Sequence, residues 1–192
     1  MITILLATAG APMAQAPAPY DAAAAESQYR ALAADPAAMP DRLFVLQENA
    51  IGLREQAIAK AVAARATDPA VREIAARFAD AHGQGVAALR KAAGEIGIAV
   101  PHAITPLETA QIDALGAMPP RALEDWWLLH QRAVHAWDIA TFADYAGRTR
   151  QPTLAPYVRA VIAPLRAQSA EIDRLAATRG IGAPPPSAAR RP

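Results

Sequence analysis

Four long segments that place an apolar residue at every third or fourth position, each cut off by proline or glycine, constrain this chain most. That spacing lines one side of an α-helix. The first segment runs from Asp41 to about Ala66. Asp68-Pro69 then supplies an N-cap followed by proline at the first helical position, and opens a second helix that ends before Gly97. GIAVPHAITP is a linker, with a short helical piece near Leu107 to Leu115, and Met118-Pro119-Pro120 punctuates it. The third helix spans about Arg121 to Tyr145. After the turn from Gly147 to Pro152, the fourth runs from about Thr153 to Ala177, with Pro164 as an internal kink. No alternating strand pattern of useful length occurs. Short loops between helices one and two, and between three and four, make two helical hairpins. The expected fold is therefore all-α, an antiparallel four-helix bundle.

The flanks read differently. MITILLATAGAPMAQA carries an apolar run from Ile2 to Ala11 and a small-x-small site at Ala14-Gln15-Ala16, so residues 1–16 read as an export signal, although no Lys or Arg precedes the run. Residues 17–40 are Ala/Pro-rich, with a short helix around Ala22 to Ala33. Residues 179–192 have tail composition, which leaves a body of 41–178. The apolar run is too short to span a bilayer.

Composition narrows the function. Lys plus Arg number 19 against 18 Asp plus Glu, a net charge of +1, which is no basis for binding nucleic acid. With no cysteine, thiol catalysis, disulfides and Cys-ligated metals are excluded. There is no phosphate-binding loop, nucleophile elbow or Ser-His-Asp spacing.

The chemistry lies in polar residues that interrupt the apolar stripes. Helix three places His135, Gln131, Asp138 and Glu124 on the same half of its surface as Trp127, Leu128, Phe142 and Tyr145, whereas His130 and Trp126 fall outside it. In helix one, Glu55 and Glu48 share the stripe of Phe44, Ile51, Ile58 and Val62. His82 interrupts helix two, and Gln168 interrupts helix four. Glu55 lies 13 residues before Asp68 and His82 lies 14 after it; His135 lies 16 before Gln151 and Gln168 lies 17 after it. Equal distances from a hairpin turn give equal height. Glu55 is thus expected to face His82, and His135 to face Gln168, in one buried polar layer. A His82 protonated by Glu55 would have a raised pKa. Such a layer can satisfy itself, hold a water or ligate a metal. The di-iron arrangement needs a Glu three residues before a His, but Ala79, Trp127 and Arg132 occupy that offset from His82, His130 and His135. His130, at the stripe edge, and His102, in the linker, read as surface imidazoles.

The order F-x(10)-E, then D-P-x-V with F-A-x-x-x-H, then an acid, an aromatic and Q-x(3)-H, then P-L-R resembles the bacterial domain of unknown function 4142. The matching positions are Phe44, Glu55, Pro69, Val71, Phe78, His82, Glu124, Trp127, Gln131, His135, Pro164 and Leu165. The resemblance covers about Asp41 to Leu175. It implies an exported, ferritin-like helical bundle of the kind labelled a predicted outer-membrane protein. Two departures weaken a metal site: Ala81 stands where the family places an acid, and Gln168 where it places histidine.

Two function classes follow. One is a non-catalytic periplasmic or envelope bundle, acting through an envelope partner or as a homo-oligomer, with Glu55, His82, His135 and Gln168 as its polar layer and Glu48, Glu124, Gln131 and Asp138 as secondary candidates. The other is a small metal-binding protein holding a single Zn or Fe on Glu55, His82 and His135.

Overall fold

A computed structural model describes residues 37–182, together with Ala23, Glu26, Ser27, Arg30 and Ala34, which are helical. The export signal expected at residues 1–16 lies outside the described residues. Among those described, the chain is all-α with no strand. Five helices span residues 37–182: α1 (Met39–Arg65), α2 (Pro69–Glu95), α3 (Pro106–Leu115), α4 (Pro120–Arg148) and α5 (Leu154–Thr178).

Proline opens four of them, standing in the first two positions of α1, α2, α3 and α4, where its missing N–H has no partner to lose. The Asp68 side chain accepts from Ala70 N to cap α2. Thr105 and Glu108 form a reciprocal capping box on α3. At the far end of α2, Gly97 adopts φ 71° and Ile98 N–H returns to the Ala93 carbonyl, a left-handed closure that glycine accepts without strain.

α1 packs on α2 and α4 on α5, while α2 meets α5 and α1 meets α4. Two apolar clusters result. One gathers Ile58 and Val62 from the end of α1, Val71 and Phe78 from the start of α2, Leu123 and Trp127 from the start of α4, and Ile172 from the end of α5. The other gathers Phe44, Leu89, Phe142, Tyr145, Leu154 and Val158 from the opposite helix ends. Neighbouring helices therefore run antiparallel. The buried polar residues Glu48, Glu55, Gln131, His135 and Asp138 lie between the two clusters in sequence on both α1 and α4.

The packed body continues past Thr178. Gly180 repeats the left-handed closure at φ 70°, Ile181 N–H returns to Ala176, and the Ile181 side chain packs on the first apolar cluster. Arg179, with its side chain only 5% exposed, reaches Glu124 at 2.8 Å, Asp125 at 2.6 Å and Asp68. Glu124 also accepts from Thr67 N at 2.7 Å, Thr67 Oγ1 at 2.9 Å and Asp68 N at 3.0 Å. It therefore ties the α1–α2 turn to the start of α4 and the end of α5. Burial would push the Glu124 carboxyl up, but the bonds from Asp68, Thr67 and Arg179 hold it down, at about 2.

Truncating this clasp tests it. Arg179→Met leaves the buried Glu124 carboxylate without its counter-charge and should cost on the order of 3 kcal/mol in urea denaturation, the range for breaking one side of a buried pair. A loss within about 1 kcal/mol, the range of an exposed ion pair, would show that the clasp does not form.

Candidate functional site

Glu55 is the most constrained group in the polar band. It has no solvent exposure, and a carboxylate so placed needs donors. It finds them on α4. His130 Nε2 donates at 2.9 and 3.0 Å to the two carboxylate oxygens, Gln131 Nε2 donates at 2.9 Å, and Arg54 Nε stands 3.5 Å away. Burial raises the Glu55 pKa; the bond from His130, with the charges of His130, His82 and Arg54, outweighs it and holds the carboxyl below its ordinary range. Trp126 stacks on the His130 ring at 5.0 Å between centroids and leaves that side chain 22% exposed.

This corrects the expected pairing. His82 comes to the level of Glu55, its neighbour Gly83 lying against Gln56, but it makes no hydrogen bond to Glu55. Equal distance from the turn sets height along the hairpin and says nothing about rotation. α1 and α2 approach closely through glycine: a Cβ on Gly52 would stand 2.6 Å from Val86, and one on Gly83 would stand 2.4 Å from Gln56. His82 lines a cavity instead. Burial, reinforced by the nearby His135 charge, lowers its pKa to about 4 against the pull of Glu55, so the ring is neutral and the expected rise does not occur. His130, taken from the sequence as a surface imidazole, holds the place assigned to His82. The signal for it was its i,i+4 spacing from Trp126, which allows the two rings to stack.

His135 meets Gln168, its Nε2 lying 3.3 Å from the amide oxygen. Its Nδ1 donates to the Gln131 carbonyl at 2.9 Å, and Phe78 covers the ring at 5.3 Å. Burial lowers the His135 pKa more than the bonds to Gln131 and Gln168 raise it, so this imidazole is also neutral. A neutral ring with its proton on Nδ1 bonds Gln168 when the amide NH₂ faces Nε2.

Glu48 and Asp138 share the band without such partners. They are 6% and 4% exposed, and Glu48 Oε1 and Asp138 Oδ1 meet no hydrogen-bonding group. Burial, aided by the neighbouring charge of Asp138, pushes Glu48 up to about 8. Burial, aided by Glu55, pushes Asp138 up to about 7. Both line a cavity of about 370 Å³ together with His82, Tyr157 and Gln168. Glu124 is remote from the band and belongs to the Arg179 clasp.

Asn49 is a buried polar residue that the stripe pattern did not single out. Its Nδ2 donates to the Pro101 carbonyl at 2.9 Å and its Oδ1 accepts from Arg90 Nε at 3.0 Å, which pins the linker to α1 and α2. Among the described residues, no group of three or more His, Asp or Glu side chains is arranged to hold a metal ion. Glu55, His82 and His135 are not among such a group, and the Glu55 carboxylate is taken by His130 and Gln131 instead.

The arrangement defines an all-α protein with a buried band of carboxyl, imidazole and amide groups between two apolar clusters. The chain belongs to the family described as Domain of unknown function (DUF4142), whose model matches residues 26–177. No curated protein and no solved structure matches it.

Two predictions follow from the band. His130→Leu strands the Glu55 carboxylate and should cost on the order of 3 kcal/mol, whereas Glu55→Leu with His130→Leu together should cost much less. Losses that simply add, measured by chemical denaturation across the full cycle, would place the two side chains apart.

The second concerns pH. Glu48 and Asp138 bind protons more tightly folded than unfolded, so their contribution is full at low pH and is lost as pH rises through about 7 and about 8. His82 works the other way, its contribution fully present above 6.5 and lost as pH falls toward 4. Between pH 6.5 and 8 only the first effect remains, and the protein should lose stability. Glu48→Gln with Asp138→Asn should flatten that decline in pH-dependent denaturation. An unchanged decline would assign it to other groups.

Proposed function

We propose that this protein is a non-catalytic envelope protein, an antiparallel four-helix bundle of ferritin-like architecture whose polar band fixes the register and pairing of its helices. One observation carries this reading. Both oxygens of the deeply buried Glu55 are taken by His130, with Gln131 and Arg54 beside them, so the group placed best to begin a metal or catalytic centre is already committed to holding α1 against α4. The four long helices, with antiparallel neighbours and apolar clusters at both ends, support the bundle. Export rests on the apolar run and the Ala14-Gln15-Ala16 site. No helix among the described residues is long and apolar enough to cross a membrane. In this reading the protein acts through an envelope partner or as a homo-oligomer.

Protein purified from its native host without chelator tests both halves of the reading. Its intact mass should correspond to a chain beginning at or near Pro17, and metal analysis should find fewer than two irons per chain. A full-length species confined to the cytosol would rule out export. Stoichiometric di-iron with rapid ferrous oxidation would overturn the non-catalytic assignment.

A further inference from the structure

The cavity between α1, α2, α4 and α5 has a polar end that the register-fixing role leaves unused. Its volume, about 370 Å³, is that of a small-molecule site. The walls are mostly apolar, with Phe142 and Tyr157 at 6.3 Å between ring centroids, Val161 and Leu165. Into this space come Glu48 and Asp138, more than nine-tenths buried, each with a carboxyl oxygen that no protein group meets. Native proteins rarely leave such atoms orphaned, and each asks for an explanation.

The buried atoms left unmet at that end are carboxyl oxygens. Pro164 lacks the N–H that would close the helical bond to the Ala160 carbonyl, and both residues also line the cavity. No Lys or Arg lines it, so nothing there would neutralise an anion. Bare metal ions fare no better, since no three ligating side chains converge among the described residues. The complement to two buried carboxyls, an apolar wall and no cation is an organic cation with an apolar body. We propose that the cavity binds a small organic ammonium, its charged end on Glu48 and Asp138 and its apolar body against Phe142, Tyr157, Val161 and Leu165. The charge so supplied is the one these carboxyls lack: burial, with the neighbouring carboxylates, pushes both well above the ordinary carboxylate range, and neither forms an ion pair among the described residues. This inference is independent of the proposed envelope role and goes beyond it.

Isothermal titration calorimetry on the purified full chain decides the matter, with 2-phenylethylammonium as probe, and 2-phenylethanol and 3-phenylpropanoate as neutral and anionic counterparts of similar shape. The ammonium should bind at one site per chain, at least about ten-fold tighter than the alcohol, with the carboxylate not binding. Glu48→Gln with Asp138→Asn should weaken the ammonium at least about ten-fold while circular dichroism stays unchanged. Gly85→Met gives a second route. A Cβ there meets nothing within 4 Å and Gly85 lines the cavity, so the new side chain fills the space and should abolish binding without touching a carboxyl. Gly85→Met alone decides if the double variant fails to fold. Equal binding of alcohol and ammonium, no ammonium binding, or ammonium binding untouched by Gly85→Met would each overturn the proposal.

Discussion

A carboxylate removed from water at the middle of α1 sets the terms for everything packed around it. Left alone, Glu55 would cost several kcal/mol, and the hydrogen-bond donors that offset this arrive from another helix. The donors are consecutive residues of α4, His130 and Gln131. A shift of α4 by one residue along its axis would move both by about 1.5 Å and turn them by about 100°, out of reach of Glu55. One buried charge thereby specifies how α1 and α4 align, which apolar packing alone specifies loosely. The linker between the hairpins leaves that alignment free; Asn49, by holding Pro101, fastens the linker itself.

The same band is not uniform. On the Glu55 side, although the Gln131 amide oxygen is unmet, both carboxylate oxygens have donors. On the cavity side Glu48 and Asp138 do not, and His82 is kept neutral by burial. A layer needed only for register would be as stable with apolar residues in those two places, or more so. The unsatisfied half is thus the part of the molecule where stability has been given up, and such places are commonly where proteins bind.

Much of this was legible in the sequence because helical periodicity and proline punctuation are strong signals. The order of the helices, the short piece before Leu115, the meeting of His135 with Gln168 and the burial of Glu48, Glu55, Glu124, Gln131 and Asp138 all follow from counting along the chain, although the helix read as ending at Tyr145 runs on to Arg148. What counting could not provide was rotation about each helix axis. His82 has the expected height yet turns to the cavity, because Gly52 and Gly83 let α1 and α2 close together beside it. His130 lies off the main stripe but on the side of α4 that meets α1, a second contact face that a single-stripe reading leaves to solvent. Arg179 was hidden by composition: the Gly and Pro that follow it resemble a tail, while the left-handed turn at Gly180 folds Ile181 back onto the core.

The division of the band into a satisfied and an unsatisfied half is tested most directly by a ¹³C NMR titration of the side-chain carboxyls of Glu48, Glu55 and Asp138, assigned by substitution. The three should separate widely, with Glu55 titrating below the ordinary glutamate value of 4.5 while Asp138 and Glu48 titrate near 7 and 8. Three carboxyls titrating together in the ordinary range would contradict it, since Glu48 and Asp138 would then have the donors that the fold denies them.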